Sequence, residues 1–197
     1  VSTGYKYLMD VIEWTKYIYP GKEFAYSTSL NFDHKQLLYA SVNVSPKLGI
    51  FRPTWGFYYK QQFFDTRKYG ASKALSRPLL LCLLDNNFAL SETMNAAISL
   101  NAATPNADGF LMMKSNYSVD LRFDKSFANR TWIIYLSAND IFKTTKERWT
   151  MYGQGSGTMK DCYNYTRSIS LQVTYNFNAK RSKYKGTGAG NEEKSRL

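Results

Sequence analysis

The stretch T-R-S-I-S-L-Q-V-T-Y-N-F, residues 166–177, decides the fold. Ile169, Leu171, Val173, Tyr175 and Phe177 fall on one side of an extended chain, and Ser168, Ser170, Gln172, Thr174 and Asn176 on the other, because successive side chains of a strand point to opposite faces. The stretch has about the ten residues that a tilted strand needs to cross a bilayer, with aromatics at its far end. An antiparallel sheet in water shows the same alternation. Its recurrence along the chain therefore carries the decision.

Residues 117–124 repeat it most clearly, with Tyr117, Val119, Leu121 and Phe123 opposite Ser118, Asp120, Arg122 and Asp124. Trp132, Ile134, Leu136 and Ala138 share one side of 132–142, and Met94, Ala96, Ile98 and Leu100 one side of 94–101. In 54–64, Trp55, Phe57, Tyr59 and Phe63 alternate with Gly56, Tyr58, Lys60 and Gln62, as suits lipid on one side and a wet lumen on the other. Residues 78–90 are uniformly apolar at their start, so both faces are expected to be covered there. Further strands are expected over 23–45 and, with imperfect alternation, over 4–19.

This reading gives about eight strands. The connections are alternately short (46–53, 91–93, 128–131) and long (65–77, 102–116, 143–165). Outer-membrane barrels sort their loops this way, with short periplasmic turns and long extracellular loops, whereas a sandwich has no reason to. An even strand number then places the C-terminus on the periplasmic side. Residues 102–116 and 143–165 are read as loops without periodicity, and no helical segment is expected.

Composition agrees. The chain has 197 residues, 16 Tyr and 12 Phe, and its longest apolar run, residues 79–84, falls far short of a spanning helix. The formal charge of +11 is spread among turns, loops and the segment 178–197, not gathered into a nucleic-acid-binding stripe. Cys82 and Cys162 have no metal-binding spacing and read as isolated thiols.

The stretches Y-Y-K-Q-Q-F-F-D (58–65), S-A-N-D-I-F (137–142), R-W-T-M-Y-G (148–153), K-D-C-Y-N-Y-T-R-S-I-S-L-Q-V-T-Y-N-F (160–177) and S-K-Y-K-G-T-G-A-G-N-E-E-K-S-R-L (182–197) are similar to a known family. Through them the chain resembles the C-terminal part of the outer-membrane β-barrel proteins of Bacteroidetes, relatives of TonB-dependent receptors. The resemblance implies an all-β, transmembrane, antiparallel up-and-down barrel of roughly 22 strands with a plugged lumen. Residues 1–177 would supply about eight of those strands, and 178–197 a basic periplasmic tail. It also implies ligand uptake across the outer membrane, with TonB acting only through an N-terminal plug, and lipid, lipopolysaccharide and the barrel-assembly machinery as partners. Phe177 would end the strand that this machinery reads. The ligand is unknown. A complete small barrel with an anchoring or adhesive role is an alternative, as is a soluble basic β module gripping an anionic polymer.

The residues show no catalytic constellation, metal site or cofactor motif, so a non-enzyme is expected. His34, in N-F-D-H-K, reads as a solvated loop residue, and G-T-G-A-G (186–190) lacks the strand and the Lys-Ser/Thr of a phosphate loop. Tyr58, Lys60, Gln62, Asp120, Arg122 and Asp124 are the lumen-facing candidates. Trp55, Phe57, Tyr59, Val119, Leu121, Phe123, Ile134, Leu136, Ile169, Leu171, Val173 and Tyr175 are expected to face lipid. Lys146, Arg148, Trp149, Tyr152 and Tyr163 are assigned to an extracellular loop. Its aromatics, with Tyr165, are read as an interfacial girdle, and Lys143, Lys146 and Arg148 as partners for lipopolysaccharide phosphates.

Overall fold

The computed structural model describes residues 1–155 and 157–177. Its strands are β1 (Ser2–Tyr17), β2 (Tyr26–Val44), β3 (Phe51–Phe63), β4 (Leu79–Ser91), β5 (Met94–Ala103), β6 (Asn106–Asp108), β7 (Leu111–Met113), β8 (Asn116–Phe127), β9 (Trp132–Asn139), β10 (Lys146–Met151), β11 (Thr158–Tyr163) and β12 (Ser168–Tyr175). All pairings are antiparallel. The main sheet runs β1-β2-β3-β4-β5-β8-β9-β12, an up-and-down meander in chain order. Within the described residues β1 and β12 pair on one side only, so the sheet is open. The segment 178–197, expected to be a tail, lies outside the described residues.

Pairing carries one facing across the sheet. Leu171 sits opposite Leu136, Leu136 opposite Phe123, Phe123 opposite Ala96, Ala96 opposite Phe88, and Phe88 opposite Phe51. Every residue expected to face lipid shares this side. Its apolar side chains are bare, with Ile169 78% and Leu171 67% exposed. A contiguous apolar surface of this extent needs hydrocarbon, and it argues against the soluble alternative.

The register also sets the strand slope. Leu171, in the middle of the apolar stretch of β12, lies on the row that meets β3 at Phe51, whereas Val42, in the apolar stretch of β2, meets β3 at Phe57. The apolar band thus climbs about one residue per strand. With about 3.3 Å per residue and about 4.8 Å between strands, that is a tilt of roughly 35°. Membrane barrels tilt by about this much.

Four expectations need correction. Residues 102–116 and 143–165 are not structureless, because they carry β6–β7 and β10–β11, which join in a second sheet ordered β11-β10-β7-β6. A single 3₁₀ turn, Thr66–Tyr69, interrupts 65–77, with the Asp65 carboxylate accepting the Lys68 N–H. The early part of β4 is not covered on both faces, since Leu80 and Leu83 point to opposite sides and both are exposed. His34 lies within β2, its ring stacked on Tyr7 at 5.4 Å.

The imperfect alternation of β1 has a backbone cause. Asp10 has φ 52°, the left-handed region that Asp tolerates better than most residues. Before it, odd-numbered Tyr5, Tyr7 and Met9 are exposed; after it, odd-numbered Glu13 and Thr15 turn inward and Ile12 and Trp14 are exposed. This change of phase lets the far end of the β1–β2 hairpin receive the second sheet. The face of that sheet carrying Leu111, Trp149 and Met151 packs with Phe32, Phe64, Tyr69 and Phe110 into the main apolar cluster of the chain.

Candidate functional site

The polar side of the main sheet forms a ladder of cross-strand contacts. Asp85, Ser99 and Asp120 occupy one row of β4, β5 and β8. Arg122, two residues further along β8, reaches diagonally over the small buried Ala97 and donates from Nη2 to Asp85 Oδ1 at 2.7 Å. The same oxygen accepts the Ser99 hydroxyl at 2.7 Å, and Asn87 donates to the other at 3.1 Å. Asp124 accepts the Asn95 amide at 2.8 Å, Ser137 and Ser170 share a hydrogen bond at 2.6 Å, and Asn139 donates to Ser168 at 3.0 Å. Between Asn43, Thr54, Gly56 and this ladder lies a recess of about 420 Å³. A Cβ on Gly56 would stand 2.9 Å from Asn43 Oδ1, so a larger residue here would turn the Asn43 side chain aside.

Asp85 and Arg122 are each about two-fifths exposed. Water screens such a pair, and a double-mutant cycle on Asp85→Asn and Arg122→Gln should return a coupling of about 0.2–1 kcal/mol in chemical unfolding. A coupling of zero would mean that the contact is incidental to stability.

Above the ladder, the long connections fold over the polar side and form a roof. The Gln62 carboxamide is wholly buried, its oxygen accepting the Gly109 N–H at 2.8 Å and its nitrogen donating to the Leu75 carbonyl at 2.6 Å and the Gly109 carbonyl at 3.2 Å. Gly109 has φ 55°, and a Cβ on it would collide with the Glu13 carboxylate. Buried Lys35 bonds Glu13 at 2.6 Å and Asp108 at 3.3 Å, and Lys60 reaches Asp108 at 3.0 Å. Burial opposes the charge on Asp108, but Lys35 and Lys60 outweigh it and hold the carboxyl below its usual range.

Asp140, just past β9, organises the last connection. It is 2% exposed and accepts the Thr166 hydroxyl at 2.6 Å and the Thr144 N–H at 2.8 Å, while its own N–H donates to Asp120 at 2.7 Å. Burial pushes its carboxyl up, yet the hydrogen bonds from Thr166, Thr144 and Thr145 prevail and lower it to about 2. The folded value lies below the unfolded one of about 3.9. The stabilisation is therefore complete above the unfolded value and lost as pH falls through the window from about 4 to about 2. Hydrogen-exchange protection of residues 144–166 should fall across that window, and Asp140→Asn should leave the segment poorly protected even at neutral pH.

Tyr58, Lys60, Gln62, Asp120, Arg122 and Asp124 thus share the polar side, divided between ladder and roof, with Tyr58 between Ser41 and Leu81. Trp149 and Tyr152 are not an interfacial girdle. Trp149 packs edge-on to Trp14 at 5.7 Å and donates to Glu147 at 3.0 Å, and Tyr152 joins the roof cluster. Lys160 and Trp149 together lower the Glu147 carboxyl to about 2. Tyr163 packs edge-on to Tyr165, lies under Lys143, and accepts the Arg167 N–H at 2.8 Å. Lys146 is exposed on β10, whereas Arg148 is half-buried, its Nε shielded and its Nη2 donating to the Ser115 carbonyl at 2.7 Å. At the other end of the sheet, Trp132, Tyr175 and Phe177 form a chain of rings with centroids 4.4 and 4.5 Å apart.

Sequence reasoning missed Glu13, Lys35, Asp85, Asp108 and Asp140. A carboxylate flanked by small hydrogen-bonding residues, as in L-L-D-N-N and S-A-N-D, was the signal available.

A family model described as the outer membrane protein beta-barrel family matches residues 1–175. No curated protein and no solved structure matches the chain.

Proposed function

Because the chain belongs to the outer membrane protein β-barrel family, we propose that it is a wall segment of a TonB-dependent-type receptor of the Bacteroidetes kind, taking up a ligand across the outer membrane without catalysing a reaction. The open sheet is the observation that carries this reading. In hydrocarbon the unpaired N–H and C=O groups along the outer edges of β1 and β12 would each cost several kcal/mol, so these edges must pair, with each other or with further strands, and this reading takes the second course. A ring much larger than eight strands has a lumen wide enough for a plug and a ligand path, whereas an eight-stranded barrel is filled by its own side chains.

In this reading the wall is passive. The ladder around Asp85 and Arg122 meets the plug, the roof over β2 and β3 meets the ligand outside, and energy arrives through TonB acting on the plug. The long connections lie outside the cell and the C-terminus in the periplasm, as the sorting of loop lengths favours.

The experiment is uptake by whole cells producing the full-length protein. Accumulation of the ligand should require both this protein and an energised inner membrane. Unchanged accumulation after collapse of the proton gradient would overturn the TonB-type reading. Protease cleavage of the β10–β11 hairpin on intact cells checks the orientation separately.

A further inference from the structure

We propose that the recess beside Gly56 binds an organic cation, an alkylguanidinium or alkylammonium group, through Asp120 and the side-chain oxygens of Asn101 and Asn139. The inference deepens the uptake reading by naming the charge that this part of the wall accepts, and it rests on that reading for its wet lumen. Two carriers can bring such a group here, the solute in transit and the plug that faces the ladder, and the experiment separates them.

The recess measures about 420 Å³, within the range of small-ligand sites, and Asn101, Asp120 and Asn139 all line it. Asn101 pairs with Ser118 and Ser99 with Asp120, so Asn101 and Asp120 are diagonal neighbours on the polar side. Asn139 follows Ala138, the partner of Leu121, and therefore stands beside Asp120. Each of the three keeps an acceptor open. The Asn101 amide donates to Ser118 Oγ at 3.3 Å and the Asn139 amide to Ser168 Oγ at 3.0 Å, which leaves their carbonyl oxygens. Asp120 accepts the Asp140 N–H through Oδ1 at 2.7 Å, and among the described residues no donor reaches its Oδ2.

Charge decides what these acceptors take. Asp85 and Arg122 form an ion pair and together leave the recess neutral. Asp120 and Asp140 then add two carboxylates joined through one backbone N–H, and Asp140 is held as the anion by Thr166, Thr144 and Thr145 instead of by a cation. Among the described residues no ion pair engages either of them. The cations on the same elements are turned elsewhere: Arg122 to Asp85, Lys125 to Thr93, and Lys143 over the Tyr163 ring at 5.1 Å. Arg52 and Lys60 share the polar side of β3, but Lys60 bonds Asp108, and Arg52 stands two residues beyond Thr54, outside the lining. A neutral polyol would use the acceptors and leave the charge, and an anion would be repelled. A cation with several N–H donors meets both, through charge-assisted hydrogen bonds.

The experiment measures binding of agmatine, and of butylurea as its neutral counterpart, to the full-length protein in detergent by calorimetry. Agmatine should bind and butylurea should not. Asp120→Asn keeps an acceptor for the Asp140 N–H and should weaken agmatine about tenfold, the loss of one charge-assisted hydrogen bond. Asp120→Lys supplies an ammonium of its own and should abolish binding. Glu92→Gln removes one negative charge from the exposed β4–β5 turn and should bind as the wild type does. A normal heat-induced gel shift shows that each variant has folded.

If the plug carries the cation, agmatine finds the recess filled in the wild type. Limited proteolysis should then cut the plug faster in both Asp120 variants and not in Glu92→Gln, which supports the site with the plug as its source. Equal binding of agmatine and butylurea would overturn the proposal. So would agmatine binding and plug cleavage that both ignore Asp120. Should uptake by whole cells prove independent of the proton gradient while agmatine binding still depends on Asp120, the uptake reading fails and the cation site stands.

Discussion

Arginine in place of Leu121 should cost about 2–4 kcal/mol of folding stability in a bilayer, because the site lies on the lipid side near mid-band. Leu121 pairs with Ile98 on one side and Ala138 on the other. All three point to the exposed apolar face, so a guanidinium there has no polar side chain beside it on either neighbouring strand. The matched control is Gln172→Arg, on the polar side of β12, where the charge would enter the wet lumen and the change should be within about 0.5 kcal/mol. Urea unfolding in lipid vesicles, followed by the heat-dependent gel shift, measures both. Equal costs for the two variants would mean that the faces have been assigned wrongly.

Truncating Phe110 to alanine should have the second large effect, about 3–5 kcal/mol, but on the roof alone. Phe110 is 1% exposed and touches Phe32 at 5.2 Å and Phe64 at 5.4 Å between ring centroids. These contacts hold β6–β7 over the polar side, while the main sheet keeps its own ladder. The expected result is therefore a barrel that still assembles and shifts on gels, with hydrogen exchange and protease cleavage increased in 104–115 and 144–165. Loss of assembly would show instead that the roof forms before the wall and guides it. Gln62→Leu, which strands the Gly109 backbone without opening a cavity, should reproduce the local opening more weakly.

The main sheet was legible because a period of two repeats over many residues and burial is one-sided. A one-residue slip would expose every lumen residue to lipid, so the sequence must keep the pattern clean. The second sheet was harder to read for a physical reason. In β10 the alternation of Glu147, Trp149 and Met151 against Lys146, Arg148 and Thr150 is present but brief. In β11 the roles of Thr158, Lys160 and Cys162 follow from what β10 offers them, not from their own polarity. The phase change at Asp10 was hidden for a similar reason, since a left-handed aspartate leaves no mark in hydropathy. Ladder residues such as Asp120 and Arg122 could be read from their facing. Asp85 could not, because the leucines before it mask the alternation of β4.

One contact bears on how the whole assembly can move. Gly153 packs so closely on the Lys16 backbone that a Cβ would come within 2.5 Å of its carbonyl oxygen. Beside it, the Gln154 N–H donates to the Lys16 carbonyl at 2.9 Å, and the Gln154 side chain accepts the Ile18 N–H at 2.9 Å. The connection between the last two strands of the arc is thereby fastened to the first. It works as a tie across the chord of a bow, and it fixes the curvature of this part of the mouth whatever completes the circumference. Under the uptake reading proposed above, passage of a bulky solute would have to widen the opening elsewhere, or begin by releasing that tie.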